Sequence, residues 1–455
     1  MNIVILGAGA VGSTLADLLA KESEDNDITI VDLNIAPLAS IEEHADIKTI
    51  QGHCSHPNIL VNAGIEKADI VVAATGSDET NIVACLISKT LSNNIRTIAR
   101  IRDASYAKKK TKGAISNIVD KIISPEQLLT DYLQKLIDTP GALQVLDFAE
   151  GRLNLVAVKA LRGGPLIGHQ ISNLKKHMPK VEARIAAIFR QDQPVIPSGD
   201  TIIEAGDEVF FIAKRADIPR VINEMRKKEE PYKKIMIAGG GKIGSRLAKT
   251  IENNHQVKVI EADENRAKYL AEKLDTSTVL FGNSSDKTLL HEENIENTDV
   301  FASLTNDDEA NVMSCLLARE MGAHKVIALI NNPAYVDLIQ GRGIDIAIAP
   351  SQITIGTLLA EVAGEGVETV YSLRRGAAEA VETIVKPNSN KNNCVIGKCL
   401  GDIILPEGVT IGAIIHDNVP KIAHDATIIH ENDHIILFLT DKRILSEVKN
   451  IFSPL

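Results

Sequence analysis

The sequence predicts an α/β protein in which two doubly wound parallel-sheet domains are each followed by a small α+β domain. The first observation is a repeated glycine fingerprint, G-x-G-x-x-G, at 7–12 and again at 239–244. Each copy stands between an aliphatic run and a helical pattern, and six of ten residues are identical between 7–16 and 239–248. The second observation is that short aliphatic runs alternate with helical stretches in both halves, which favours right-handed βαβ crossovers. The chain is therefore predicted to contain two Rossmann-like units in tandem.

The strands of the parallel sheets are predicted from four aliphatic runs in each half: 3–6, 28–31, 70–74, 97–101, 235–238, 257–260, 300–303 and 326–330. In the first half, helical patterns begin at Val11, Ala36, Ile59 and Asn81. The two halves remain alike beyond the glycines, because 75–86 and 305–316 follow the same pattern of polar and apolar residues. Each half is thus predicted to be a complete repeat.

A small β-rich module follows each predicted parallel sheet, where glycine and proline punctuate shorter apolar runs. Its strands are predicted at 155–160, 183–190 and 208–212 in the first half, and at 382–386, 409–416 and 434–439 in the second. The charged run at 226–231 is interpreted as a solvated connector between the halves. The predicted domains are 1–140 and 229–367 for the two Rossmann-like units, with 141–228 and 368–455 for the small modules.

Composition limits the class of protein. Aromatic residues make up 3% of the 455 residues and tryptophan is absent, so the cores are predicted to be aliphatic. The net charge of −11 argues against nucleic-acid binding, which needs basic surfaces. Five scattered cysteines, an odd number, are typical of a reducing compartment. No apolar run approaches the roughly 20 residues of a membrane span, and the first strand begins at residue 2, so neither direct membrane insertion nor a cleaved leader is expected.

The two glycine turns are predicted to bind phosphate. A strand that turns on glycines into a helix directs backbone amides and the positive end of the helix dipole at an anion. The third glycine allows the helix to lie close to the strand. The predicted contacts of the two turns are Gly7, Ala8, Gly9, Ala10, Val11 and Gly12 in the first copy, and Gly239, Gly241, Lys242, Ile243 and Gly244 in the second.

An acidic residue ends the second strand of each copy. Asp32 lies 20 residues beyond Gly12, where a carboxylate can accept hydrogen bonds from both ribose hydroxyls. This favours NAD(H) or adenosine over the 2′-phosphorylated cofactor. Glu261 lies 17 residues beyond Gly244 and carries the same charge on a longer side chain. The alternative is that each is only a solvent-exposed acid at the end of a strand.

Polar residues follow the third predicted strand of each copy, at the sheet edge where ligands of open α/β sheets bind. Thr75, and Thr305 in the second copy, are predicted to lie closest to the ligand. Asp78 and Glu79 could contribute to the site, but helix N-terminal acids favoured by the dipole are an equal alternative.

An arginine distinguishes the two copies. Arg100 ends the fourth predicted strand of the first copy, where its planar guanidinium could bridge a phosphate. The equivalent position in the second copy is Leu329. The two sites are therefore predicted not to be equivalent.

The turn at 53–56 contains three possible metal donors, His53, Cys54 and His56. Three donors within four residues are too crowded to close a tetrahedral zinc site, and the sequence offers no evident fourth ligand. The favoured interpretation is a loop beside the adenosine, with His53 as a contact, and no metal site is predicted. His424, His430 and His434 are interpreted as surface or strand residues. No nucleophile–base pair is evident, so no catalytic residue is predicted.

Taken together, these features resemble the TrkA family, the nucleotide-binding subunits of the bacterial Trk potassium uptake system, built from tandem RCK (regulator of potassium conductance) units. The resemblance rests on the opening strand and glycine turn 3–12, Asp32, the turn at 52–57, Thr75 through Asn81, and Ala99 with Arg100. It implies that the site of Gly7, Gly9, Gly12, Asp32, Thr75 and Arg100 binds NAD(H) and adenine nucleotides, ATP and ADP. It also implies small domains of the RCK C-terminal type. His53 stands where Asp or Asn is common in that family.

The resemblance further implies an assembly. The family forms a homotetrameric ring in the cytoplasm, at the inner face of the membrane, beneath a membrane-embedded potassium-translocating subunit. Nucleotide occupancy changes the shape of the ring and hence the opening of the channel. The alternative function is an NAD-dependent oxidoreductase, which would need an acid or base beside the nicotinamide. A redox-sensing transcription factor is less favoured, because no helix-turn-helix segment or basic balance is evident.

Overall fold

The computed structural model describes the chain except for residues 23–25, 43–46, 108–114, 192, 196, 340, 363–366, 374–377, 388–394, 440–443 and 453–455. Two six-stranded parallel sheets alternate with two five-stranded antiparallel sheets. This confirms the predicted fold class.

The first parallel sheet contains six strands in the order β3-β2-β1-β4-β5-β6. Its strands are β1 (Asn2–Leu6), β2 (Asp27–Asp32), β3 (Lys48–Gln51), β4 (Ile70–Ala73), β5 (Arg96–Arg100) and β6 (Lys121–Ile123). Its helices are α1 (Ala10–Glu22), α2 (Ile35–Glu42), α3 (Pro57–Asn62) and α4 (Asp78–Leu91). The chain order reverses between β1 and β4, which opens a crevice at their carboxyl ends. The sequence prediction missed the edge strand β3 because this strand is short and only half-buried.

The first antiparallel sheet has the order β10-β9-β11-β8-β7. Its strands are β7 (Ala142–Phe148), β8 (Leu153–Lys159), β9 (Ala183–Arg190), β10 (Gln193–Val195) and β11 (Glu208–Lys214). The helices around it are α5 (Pro125–Asp138), α6 (Asn173–His177) and α7 (Ile218–Met225). The three strands predicted for this module are all present.

The second parallel sheet repeats the first, in the order β14-β13-β12-β15-β16-β17. Its strands are β12 (Lys234–Ala238), β13 (Gln256–Glu261), β14 (Thr278–Phe281), β15 (Val300–Ser303), β16 (Lys325–Leu329) and β17 (Ile346–Ile348). Its helices are α8 (Lys242–Ile251), α9 (Glu264–Lys273), α10 (Lys287–Glu292), α11 (Asp308–Glu320) and α12 (Pro333–Ile339).

The second antiparallel sheet has the order β18-β19-β22-β20-β21. The remaining elements are α13 (Pro350–Val362), β18 (Val367–Leu373), β19 (Ala378–Ile384), β20 (Val409–His416), β21 (Val419–Ile422), β22 (His434–Leu439) and α14 (Leu445–Phe452). The predicted strand 382–386 is wrong in its bounds, since β19 begins at Ala378. The reason is that the charged Glu379 interrupts the apolar pattern at the start of this strand, although its side chain is buried there.

The chain divides into two compact units, and each linking helix belongs to the unit that contains the other half's parallel sheet. One unit comprises 1–125, 351–383 and 441–455, and the other comprises 126–350 and 384–440. In the first unit, Glu361 of α13 accepts a hydrogen bond from Arg96 Nη2 at 2.5 Å and pairs with Lys121. In the second unit, Lys325 Nζ donates to the carbonyl of Ala142, just after α5, at 2.8 Å. The domain boundaries given above remain predictions.

The connector between the halves follows the end of α7 and is mostly solvated, as predicted, with Lys227, Lys228, Glu230 and Pro231 exposed. Arg226 forms an ion pair with Glu229, and the two side chains are only 18% and 13% exposed. Arg226 Nη1 also donates to the carbonyl of Gly141 at 3.2 Å. Within 226–231, Arg226 and Glu229 are the two partly buried residues, because their charges neutralise each other against the packed chain. Among the helices that the structure describes, none combines the length and apolar character needed to cross a bilayer.

Candidate nucleotide-binding sites

The first glycine turn requires glycine at both ends. Gly7 has a φ of +108°, and a Cβ there would lie 3.0 Å from the Thr75 backbone. A Cβ on Gly12 would lie 1.9 Å from the carbonyl oxygen of Gly7. At Gly9, by contrast, no atom of the described residues lies within 4 Å of the place a Cβ would take. The turn is thus closed on the protein side and open where a ligand would approach.

Helix α1 begins immediately after this turn. The amide of Ser13 donates to the carbonyl of Gly9 at 2.9 Å. The amides of Ala10, Val11 and Gly12 therefore precede the first intrahelical donor and have no acceptor within the helix. Their N–H groups and the positive end of the helix dipole face the open side of the turn, which suits a phosphate.

Asp32 is fixed beside the turn by two backbone hydrogen bonds. Its Oδ2 accepts from the amide of Ala8 at 2.7 Å, and its Oδ1 accepts from the amide of Asn34 at 2.8 Å. Each carboxylate oxygen can accept more than one hydrogen bond, so capacity remains for ribose hydroxyls. The structure places Asp32 at the predicted position, at the end of β2 and in contact with the glycine turn.

A buried asparagine connects the neighbouring strand ends. Asn81 Oδ1 accepts from the amide of Thr75 at 3.0 Å and from its hydroxyl at 2.6 Å. Asn81 Nδ2 donates to the carbonyl of Arg100 at 2.8 Å. The side chain of Asn81 thus fixes the ends of β4 and β5 at the edge of the crevice.

The second copy repeats this geometry. Gly239 has a φ of +98°, and a Cβ on Gly244 would lie 1.9 Å from the Gly239 carbonyl oxygen. Glu261 accepts from the amides of Gly240 at 2.7 Å and Asp263 at 2.9 Å, as Asp32 does in the first copy. Its longer side chain therefore reaches the same place. Lys242 and Ile243 begin α8, with Gly241 as the exposed N-terminal cap.

The asparagine bridge recurs as well. Asn311 Oδ1 accepts from the Thr305 hydroxyl at 2.7 Å, and Asn311 Nδ2 donates to the carbonyl of Leu329 at 2.8 Å. Leu329 is therefore the structural counterpart of Arg100, and it is buried. The two copies share the backbone arrangement here and differ in the side chain, and the non-equivalence of the two sites stays a prediction.

Sequence reasoning missed an arginine at the second turn. Arg266 Nε donates to the carbonyl of Gly240 at 2.9 Å, and the guanidinium lies 5.0 Å from the centre of the Tyr269 ring. The second copy thus carries its own cation, on α9 instead of the fourth strand. The sequence signal that could have predicted this contact is a basic residue five positions after Glu261. The first copy has Pro37 at the corresponding place.

Asp78 serves the loop after β5. Its carboxylate accepts from the amides of Arg102 at 3.0 Å and Asp103 at 2.8 Å. Asp308 does the same for Asn331 and Asn332 in the second copy. Of the two alternatives for Asp78, the geometry therefore favours a structural role at the start of the helix. Glu79 is also in the first turn of α4 and accepts from the Ser77 hydroxyl at 2.9 Å.

The three possible metal donors in the turn at 53–56 have different partners in the structure. His53 Nδ1 contacts the Ser55 hydroxyl at 2.9 Å, and the rings of His53 and His56 are stacked with centroids 4.7 Å apart. The Cys54 thiol donates instead to the carbonyl of Val31 at 3.4 Å. Burial, together with the nearby charge of Asp32, raises the pKa of Cys54 to about 12. The thiol is therefore protonated at neutral pH, and the turn lies beside the end of β2.

Comparison with known proteins assigns the chain to a family. A model of the TrkA-N domain matches residues 3–125 and 235–350, and a model of the TrkA-C domain matches 155–226 and 389–453. The Trk system potassium uptake protein TrkA of Halomonas elongata is 49% identical over 453 residues, which cover 99% of this chain and 98% of that protein. This chain belongs to the TrkA family.

Solved structures agree with the TrkA assignment in fold. The crystal structure of the GsuK RCK domain matches 99% of this chain and 94% of its own, with a TM-score of 0.61 and 19% identity. The GsuK channel bound to NAD matches 99% of this chain and 78% of its own, with a TM-score of 0.60 and 17% identity. Both TrkA-N matches end at the proline that begins a linking helix, Pro125 of α5 and Pro350 of α13.

Proposed function

We propose that this chain is a nucleotide-binding regulatory subunit that gates a membrane-embedded potassium-translocating partner from the cytoplasmic side. Its ligands are NAD(H) and the adenine nucleotides ADP and ATP. The observation that carries the proposal is the first glycine turn, which is closed by the contact of Gly12 with Gly7, open at Gly9, and flanked by Asp32. Membership of a family of potassium uptake proteins supports the proposal that the chain has a potassium-translocating partner.

Each part of the nucleotide has a proposed contact. The amides of Ala10 to Gly12 would hold a phosphate at the start of α1. Asp32 would accept from the ribose hydroxyls, and Arg100 would bridge a second phosphate. Thr75 lies at the crevice edge, and His53 follows the end of β3. NAD as ligand is supported by the GsuK channel, a protein of the same fold that was solved with NAD bound.

A modest difference in nucleotide affinity between two states of the protein would be enough to drive the proposed gating. A ligand shifts a conformational equilibrium only through its different affinities for the two states. Moving a population from 1:99 to 99:1 takes about 5.5 kcal/mol. Shared by the four subunits of a ring, this is about 1.4 kcal/mol each, or a roughly tenfold preference per site. A few phosphate and ribose hydrogen bonds made in one state supply that difference.

The nucleotides are proposed to act as ligands without being transformed. This separates the proposal from an NAD-dependent oxidoreductase with duplicated Rossmann units. Steady change in absorbance at 340 nm with NAD and any member of a substrate panel would favour the enzyme.

Calorimetric titration of the full chain with NAD, NADH, ADP and ATP tests the proposal. Asp32→Ala is expected to weaken binding at the first site at least tenfold, because the ribose loses its acceptor. Asp27→Ala is the matched control, since Asp27 is exposed at the other end of β2. Binding that is absent in the wild type, or equal in the two variants, would contradict the site. Potassium flux through the partner in vesicles, with and without each nucleotide, tests the gating.

A further inference from the structure

Two histidines and an aspartate converge in the last antiparallel sheet. His416, His430 and Asp433 each offer one donor atom, and these atoms lie within 4.8 Å of one another. His416 Nδ1 is 2.7 Å from Asp433 Oδ1, and His430 Nδ1 is 3.5 Å from Asp433 Oδ2. The two rings lie with centroids 4.2 Å apart. These three residues are called the His–Asp cluster below.

Regular backbone structure holds the cluster in place. His416 ends β20 at a two-residue turn, in which Asp417 and Asn418 have φ values of +47° and +63°. This is the hairpin turn that requires positive φ at both central residues. Asp433 is only 1% exposed, and its Oδ2 accepts from the amide of His430 at 2.8 Å. The donors therefore lie on a hairpin end and a tight turn rather than on a loose loop.

The first antiparallel sheet shows what occupies this place in the other copy. There Asp207 is also 1% exposed, and it receives a two-pronged ion pair from Arg190, with Nε at 2.9 Å and Nη2 at 2.8 Å. Arg190 Nη1 further contacts Glu204 at 2.6 Å. The amide of Glu204 donates to Asp207, as the amide of His430 donates to Asp433.

The two copies thus share the same turn and the same buried carboxylate, but different side chains pair with this carboxylate. In the first copy a guanidinium, which is always charged, neutralises the carboxylate. In the second copy, His416 and His430 stand where Arg190 and Glu204 stand in the first. Two imidazoles replace a completed ion pair, and neutral imidazole is the commonest metal ligand in proteins.

We propose that the His–Asp cluster binds a divalent transition-metal ion, with Zn²⁺ as the representative. Imidazole nitrogen and carboxylate oxygen are ligands of zinc, at bond lengths of about 2.0–2.2 Å. Ligand atoms around a tetrahedral ion then lie roughly 3.3–3.5 Å apart, close to the distance between His430 Nδ1 and Asp433 Oδ2. His416 Nδ1 and Asp433 Oδ1 are at the shorter distance of a hydrogen bond, so binding the ion requires that the proton between them leaves and that the two side chains separate by roughly 0.6 Å.

Asp417 lies beside the other ring nitrogen of His416. When His416 Nδ1 binds the ion, the neutral ring carries its hydrogen on Nε2. The Asp417 carboxylate lies 3.5 Å from this Nε2. A carboxylate that accepts the second ring N–H of a metal-binding histidine fixes the tautomer and raises the basicity of the ligand. Three protein ligands leave a further position for water.

Zinc titration of the metal-free full chain against a chromophoric chelator tests the proposal. The double variant His416→Arg with His430→Glu rebuilds the arrangement of Arg190 and Glu204, so it is expected to fold. His424→Ala is the control, because His424 is an exposed histidine of the same module. One Zn²⁺ per chain is expected in the wild type and the control, with at least tenfold weaker binding in the double variant. Replacement by Co²⁺ is expected to give visible absorption bands only where the site is intact.

Three outcomes are decisive. Equal zinc affinity in the wild type and the double variant would overturn the proposal, and so would uptake that His424→Ala abolishes. No zinc uptake by the wild type would show that the cluster is a hydrogen-bonded His–Asp–His group only. The readout is independent of nucleotide binding, so it stands or falls apart from the function proposed above.

Discussion

The side-chain amide of Asn81 donates to the main-chain carbonyl of Arg100 across 2.8 Å, and so joins the carboxyl ends of two neighbouring strands. The other side of the same amide group accepts from Thr75. Asn81 is fully buried, and Asn311 makes the same bridge to Leu329 in the second copy. The edge on which the nucleotide is proposed to lie is therefore set by an asparagine that does not itself need to touch the ligand.

Replacing Asn81 by alanine is expected to lower both stability and nucleotide affinity. The carbonyl of Arg100 and the amide of Thr75 lose their partner, and each unsatisfied buried group costs about 1–3 kcal/mol. Urea unfolding measures the loss, and calorimetry with NAD is expected to show at least fivefold weaker binding. Asn311→Ala is the matched control, with a similar loss of stability and unchanged affinity at the first site. Unchanged NAD affinity in Asn81→Ala would mean that the bridge does not position the site.

Two glycine substitutions in the first turn are expected to have different effects, one on stability and the other on nucleotide affinity. Gly12→Ala places a Cβ 1.9 Å from the Gly7 carbonyl oxygen, so the fold is destabilised although alanine favours helices by about 1 kcal/mol. Gly9→Ala meets open space, so its unfolding free energy stays near that of the wild type while nucleotide binding weakens. Thermal unfolding with and without ATP separates the two effects. If Gly9→Ala keeps full ATP affinity, the ligand does not approach the turn from its open side.

Arg100→Ala is expected to reduce affinity for ATP more than affinity for adenosine, because the guanidinium is proposed to meet phosphate. The loss for ATP is expected to be about 10- to 100-fold, in keeping with one charge-assisted contact of about 1.5–3 kcal/mol. Competition binding of both ligands to the same variant measures the ratio. Equal losses for the two ligands would place the guanidinium away from the phosphates.

Lys325 is expected to make the free energy of unfolding increase as the pH rises above about 8. Its ammonium group is buried against the Ala142 carbonyl, and burial lowers the pKa of Lys325 to about 8, although the charge of Glu229 opposes this. Below pH 8 both the folded and the unfolded state carry the proton. Between pH 8 and about 10.4 only the unfolded state does, so the folded state gains with rising pH.

The comparison that isolates this effect is with Lys325→Met, which cannot titrate. From pH 7 to pH 10, the unfolding free energy of the wild type is expected to rise relative to the variant by about 2–3 kcal/mol. Parallel pH curves for the two proteins would contradict the assignment.

Glu252 is expected to stabilise the second parallel-sheet domain except in strong acid. Its carboxylate accepts from the amides of Asp275, Thr276 and Ser277 and forms an ion pair with Lys249. Burial alone would raise the pKa of Glu252, but the hydrogen bonds from Lys249 and from these partners outweigh it and lower the pKa to about 2. A lowered folded-state pKa means that the stabilisation is complete above pH 4.5 and is lost as the pH falls through about 2.

Glu252→Ala leaves the three amides without their acceptor, and an expected loss of about 3 kcal/mol follows from the cost of such groups. Glu264→Ala is the control, because Glu264 forms an exposed i,i+4 pair with Lys268 on α9. Such a pair contributes only about 0.5 kcal/mol. Equal losses in the two variants would show that the buried carboxylate is not the stabilising group.

The strands around the glycine turns could be predicted because their signal is local. Aliphatic runs such as 3–6 and 235–238, and the spacing from Gly12 to Asp32, specify a βα unit without reference to distant residues. The edge strand β3 and the start of β19 were missed because part of their sequence is polar. Their place in a sheet is decided by pairing with β2 and by the burial of Glu379 and Glu382.

The sequence by itself determined the duplication, the two turns that only glycine can form, and the acid that follows each of them, because these depend on backbone sterics and short spacing. Only the tertiary structure decided which unit each linking helix joins, that Arg266 lies over the second turn, and that His416, His430 and Asp433 meet. The first group of features follows from interactions between residues near each other in the chain. The second depends on contacts between residues far apart, whose partners are fixed only when the sheets and helices have packed.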